Sequence, residues 1–116
     1  MDNTKQEKDD ILQSVGYKIQ EYRVAAKLTQ AQLAELIGVS QKHISRLERG
    51  MHSPHFDMII KIAKVLNVSI DAFVEDLSAD NINIFWQNIK SEIEGMSQNQ
   101  LSLIKDTIYA VKKYHF

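Results

Sequence analysis

Residues Gln41 to Arg49 read QKHISRLER, which sets an amide, an ammonium, an imidazole, a hydroxyl and two guanidinium groups within nine positions. Such side chains donate hydrogen bonds and carry positive charge without a nucleophile or a paired base beside them. Their chemistry is recognition of an anionic, acceptor-rich surface rather than bond making. The chain as a whole offers no hint of this, since 14 Lys+Arg stand against 15 Asp+Glu for a formal charge of -1. The asymmetry is local: residues 15 to 56 hold six Lys+Arg against three Glu, with His43, His52 and His55 in addition.

Projection at about 100° per residue shows how a helix would arrange the stretch. Ile44 and Leu47 point one way, Lys42, Ser45, Arg46 and Arg49 the other, and Gln41 lies on the flank. Glu48 falls on the apolar side, so the outer face carries no acid. A cylinder about 10 to 12 Å across with that face fits the major groove of duplex DNA, about 12 Å wide, where amides and guanidinium groups read base edges.

The surrounding sequence must hold that helix in place. Ile11, Val15, Ile19 and Tyr22 recur at spacings of three and four, predicting a first helix over 10 to 27. Thr29 with Gln32 makes a capping box for a second helix, Gln30 to Ile37. Gly38 supplies the sharp turn, and Ser40 caps the third helix at 41 to 49. Met58, Ile59, Ile62, Ala63, Val65 and Leu66 mark a fourth helix closed by Asn67. Ser69 introduces a short fifth helix, Ile70 to Glu75, which returns Phe73 to the core. The acidic run EDLSAD then forms a connector, with Asp80 as the cap of the next helix.

Beyond the connector, Ile82, Phe85, Trp86, Ile89 and Ile93 form one helical stripe. After Gly95 and the capping box Ser97 to Gln100, Leu101, Ile104, Ile108 and Val111 form another. A hairpin of this size buries too little surface to stand alone and needs an apolar partner. Three regions are therefore expected: a flexible leader at 1–9, a helical domain at 10–77 and a C-terminal helical hairpin at 78–116.

Gln30, Ala34, Gly38, Val39, Ile44 and Leu47 occupy slots in which the chain resembles the phage Cro/repressor (Xre-like) helix-turn-helix regulators, over about Val15 to Val74. Each slot has a physical reason: Ala34 permits close approach of the two helices, Gly38 makes the bend, and Val39, Ile44 and Leu47 fill the junction. The resemblance implies an all-α fold, a five-helix lambda-repressor-like DNA-binding domain followed by the two-helix hairpin. It implies base contacts from Gln41, Lys42, Ser45 and Arg46; Gln suits adenine, and Lys and Arg suit guanine. Phosphate contacts are implied for Gln30, His43, Arg49, His52 and Ser53, and an ion pair between Arg23 and Glu48 of structural rather than DNA-contacting role.

The expected function is sequence-specific binding of a two-fold operator by a dimer, with repression by occlusion of a promoter. Phe85, Trp86, Ile89, Ile93, Leu101, Ile104 and Ile108 are the expected interface, either between two copies or with a protein partner. Two other functions fit the same pattern: an antitoxin whose hairpin holds a toxin, and a protein-interaction adaptor that no longer binds DNA.

Catalysis finds no support, because no Ser/His/Asp grouping and no phosphate-cradling glycine loop is present. No metal or cofactor is expected: the chain has no cysteine, and the spacing of His43, His52 and His55 matches no ligand pattern. An N-terminus without an apolar core, and the absence of any run of ~18 apolar residues, predict a cytoplasmic protein with no membrane partner.

Overall fold

A computed structural model describes residues 4–94 of the 116, with side chains placed for 5–91. The element order is α1 (Thr4–Ala25), α2 (Gln30–Ile37), α3 (Gln41–Glu48), α4 (Phe56–Leu66), a 3-10 helix (Ile70–Val74) and α5 (Ala79–Glu94). The described residues contain only helices and their connections, in the all-α, lambda-repressor-like arrangement that the resemblance implies.

Helix boundaries follow from local chemistry. The Thr29 hydroxyl accepts from the Gln32 amide at 3.0 Å while the Gln32 side chain accepts from the Thr29 amide at 2.8 Å, closing the capping box. Gly38 ends α2 at φ 80 and ψ 33, a left-handed conformation that a Cβ would penalise. Asn67 ends α4 in the same region, at φ 56 and ψ 44, which asparagine tolerates better than most residues.

Two boundaries differ from the sequence-based expectation. Helix α1 starts at Thr4, so part of the leader expected at 1–9 is helical, and residues 5–9 extend α1 as exposed turns without burying an apolar face. Periodicity of apolar residues is silent about such turns, because good helix formers propagate a helix already nucleated by Ile11, Val15 and Ile19. The cap of α5 is Ser78 rather than Asp80: its hydroxyl accepts from the Asn81 amide at 3.1 Å.

The core gathers Ile11, Val15 and Ile19 from α1, Leu33, Ala34 and Ile37 from α2, Ile44 and Leu47 from α3, and most of α4, with Phe73 beneath. Each large aliphatic buried there contributes about 1.5–3 kcal/mol relative to exposure. Tyr22 meets Phe73 edge-on, ring centroids 6.3 Å apart. Helix α5 lies across α1 and α4 and adds Phe85 and Ile89 to the same core.

Candidate nucleic-acid interface

Helix α3 is held by its inner face and presented by its outer one. Ile44 and Leu47 are buried. The turn before them is closed by the amides of Gly38 and Val39, which both donate to the Ala34 carbonyl, at 2.9 and 3.0 Å. Ser40 caps the helix by accepting from the His43 amide at 3.1 Å. This leaves Gln41 and Lys42 exposed at the N-terminal end and Ser45 and Arg46 half-exposed one turn on. The exposed Arg49 folds its Nε back onto the Ser45 carbonyl at 3.3 Å, which holds the guanidinium along the same face.

The acid of this helix is turned inward. The Glu48 side chain is 2 % exposed and is gripped by Arg23, whose Nε donates to Oε2 at 2.6 Å and whose Nη2 donates to Oε1 at 3.1 Å. The remaining guanidinium nitrogen, Nη1, donates to the Leu28 carbonyl at 2.7 Å, so one side chain ties α1 to the start of α2 and to the end of α3. Gln30 adds a fourth bond, Nε2 to Glu48 Oε1 at 3.0 Å. The side chain expected on phosphate is thus engaged with the buried carboxylate, although Gln30 itself stays half-exposed at the first turn of α2.

His43, half-buried, and His52, exposed, approach with ring centroids 5.8 Å apart, so the loop after α3 lies against the helix, with Ser53 exposed beside them. Among the described residues no three His, Cys, Asp or Glu side chains come together in a way that would hold a metal ion. Phe85 and Ile89, expected at an interface, are each 3 % exposed and face the chain's own core, because α5 packs on α1 and α4; Trp86 is half-buried and stacks edge-on against Phe85 at 5.0 Å. Ile93 lies on α5, but its side chain, like Leu101, Ile104 and Ile108, is outside the described residues.

Two contributors to the site escape sequence reasoning. Gly16 lies mid-helix in α1, and a Cβ there would collide with the carbonyls of Leu47 and Glu48, so the two backbones touch at the end of α3. An isolated glycine inside a helical pattern was the available signal. Lys18, 8 % exposed, reaches Glu75 at 2.9 Å and Glu21 and Asp76 at 3.2 Å each, tying α1 to the connector before α5. Nothing in its spacing distinguishes it from a solvated lysine.

Residues 19–73 match the model of the helix-turn-helix (HTH_3) family, the span from mid-α1 to the 3-10 helix that carries this geometry. A regulator of Archaeoglobus fulgidus named as HTH-type is 38% identical over 60 residues, covering 51% of this chain and 84% of that protein. The chain belongs to the helix-turn-helix transcriptional regulators. The HTH-type transcriptional regulator ImmR of Bacillus subtilis is 28% identical over 110 residues, 86% of this regulator and 87% of that one. A crystal structure of an HTH_3 family regulator from Vibrio cholerae superposes with a TM-score of 0.55 at 27% identity, covering 60% of this regulator and 39% of that chain. The fold also resembles a SinR/SinI complex chain, TM-score 0.50 at 24% identity, over 85% of this regulator and 98% of that chain. No helix among the described residues of the regulator is long and apolar enough to cross a membrane.

Proposed function

We propose that the regulator binds duplex DNA sequence-specifically by laying α3 in the major groove, without catalysis and without a cofactor. The observation that carries this is the acid-free outer face of α3: Gln41, Lys42, Ser45 and Arg46 are open to a ligand while Glu48 is withdrawn onto Arg23. Gln41, Lys42, Ser45 and Arg46 read base edges; His43, Arg49, His52 and Ser53 and the first turn of α2 at Gln30 meet phosphates. Residues 10–77 form the DNA-binding unit and 78–116 join two copies, or a copy and a protein partner, so that a dimer meets a two-fold operator. The site of action is the cytoplasm and the effect is repression, by covering a promoter.

Selection from a random duplex pool followed by anisotropy titration tests the proposal. Log affinity should fall linearly with log salt as phosphate-bound cations are released. Gln41→Ala and Arg46→Ala should lose ~1–3 kcal/mol at particular base pairs, whereas Arg49→Ala weakens all sequences alike. Affinity without a salt slope, or equal sequence-blind losses at all three positions, would sink it.

A further inference from the structure

Two imidazoles meet at the edge of the proposed DNA-facing surface. His43 is half-buried on the flank of α3 and His52 is exposed in the loop that follows. Their rings approach with centroids 5.8 Å apart and planes tilted by 40°. Among the described residues neither imidazole forms an ion pair with a carboxylate. We infer that this pair couples duplex binding to proton uptake: DNA draws protons onto His43 and His52, so affinity rises as pH falls across the range in which imidazoles titrate. The inference rests on the reading of α3 and its following loop as the DNA-contacting surface.

The charges around the pair set the direction. On α3 itself they are Lys42, one position before His43, and Arg46, nearly one turn after it, while Glu48 is turned away onto Arg23. The stretch 49–55 brings Arg49 and His55 and no acid, and the next carboxylate is the exposed Asp57 in the first turn of α4. Helix α2 carries a single charged residue, the exposed Glu35. On α1, which touches α3 at Gly16, Lys18 and Glu21 are paired with each other and Arg23 holds Glu48. In its outer turns Lys8 and Asp9 are exposed, and the Asp10 carboxylate accepts from Gln6 at 3.0 Å. Protonating both rings in the free protein sets two like charges side by side, next to Lys42 and Arg46. A phosphate on this flank supplies the missing counter-charge: its oxygens accept from ring N–H groups and its charge favours the protonated form. A site whose protonated form binds more tightly adds affinity in full below its titration range and loses it as pH climbs through that range. Each imidazolium on a phosphate also releases a counterion, so the salt dependence steepens along with the affinity.

Anisotropy titration of the full-length protein on its selected duplex, at about pH 6 and about pH 8 and at several salt concentrations, tests this. Wild-type affinity should rise several-fold at the lower pH, and the slope of log affinity against log salt should steepen by ~1–2. His52→Gln, in an exposed loop, should remove a good part of both changes, and His43→Gln combined with it nearly all. The Ser40 cap accepts from the His43 backbone amide, so it survives that substitution. His55→Gln, whose imidazole lines a cleft between α1 and α5, should leave both changes in place. Tight binding that is equal at the two pH values, or a double variant that keeps the wild-type pH response, would overturn the inference and leave the DNA-binding proposal standing. Absence of binding at either pH would remove both.

Discussion

Helix α1 carries two cations that tie it to the rest of the molecule, and they do so in opposite ways. Arg23 meets Glu48 with side-chain exposures of 9 % and 2 %, and its planar fork is held by two carboxylate bonds and the Leu28 carbonyl. Lys18 places one compact ammonium among three carboxylates whose side chains are 44 to 57 % exposed. The first arrangement fixes an orientation, because each bond constrains the others and both side chains are buried. The second holds the connector to α1 but tolerates the loss of any one acid, since the ammonium has two more and solvent reaches all three. The buried clamp sits where α3 must be aimed; the open one sits where the chain merely turns toward α5.

Breaking the buried clamp should have the largest effect. Arg23→Ala leaves Glu48 buried without a partner and should destabilise the fold by ~3–5 kcal/mol in urea titration. A loss no larger than that of a surface substitution would show that the two clamps do not differ. Gly16→Ala tests whether α1 must touch the end of α3 for the clamp to close; overpacking there should cost ~1–3 kcal/mol, with a matching drop in melting temperature. Lys18→Met should cost less than either, and a double-mutant cycle with Glu21→Gln should show weak coupling.

The smallest effect is the pH dependence of the open cluster. The hydrogen bond to Glu75 holds the Lys18 ammonium above its ordinary value against the opposing cost of burial, with Asp76 and Glu21 adding to it. Lys18 in turn, with the Tyr22 hydroxyl that donates to Glu75 at 2.9 Å, holds the Glu75 carboxyl below its usual range. That same bond raises the Tyr22 phenol. A depressed carboxylate contributes stability above its unfolded value, and that contribution is lost as pH falls through the folded one. A raised lysine contributes fully below its unfolded value and less as pH climbs past it. The melting-temperature gap between wild type and Lys18→Met should therefore hold through neutral pH and close in acid once Glu75 is protonated. A gap independent of pH would place the role of Lys18 in packing of its methylenes.

Much of the helix-turn-helix was legible because its signals are local. Thr29, Gly38 and Ser40 act on backbone groups within three or four residues, and Ile44 and Leu47 sort the faces of α3 by period alone. The Arg23–Glu48 contact was legible only through resemblance, since 25 positions separate the partners. The bond from the Gln30 amide to Glu48 has no signal in the sequence, because 18 positions separate the two and spacing does not rank the acceptors within reach of a helix start. Lys18 and Gly16 were missed for a related reason, as their partners come from elements far along the chain.

The amino-acid order thus settles where helices begin and stop and which face of each is apolar, because capping bonds and periodicity involve only near neighbours. Packing alone decides that Phe85 and Ile89 serve the chain's own core, that Lys18 gathers three acids, and that the Gln30 amide reaches Glu48. Those outcomes depend on which surfaces meet, and burial, charge pairing and backbone contact between distant segments acquire their energies only once they do.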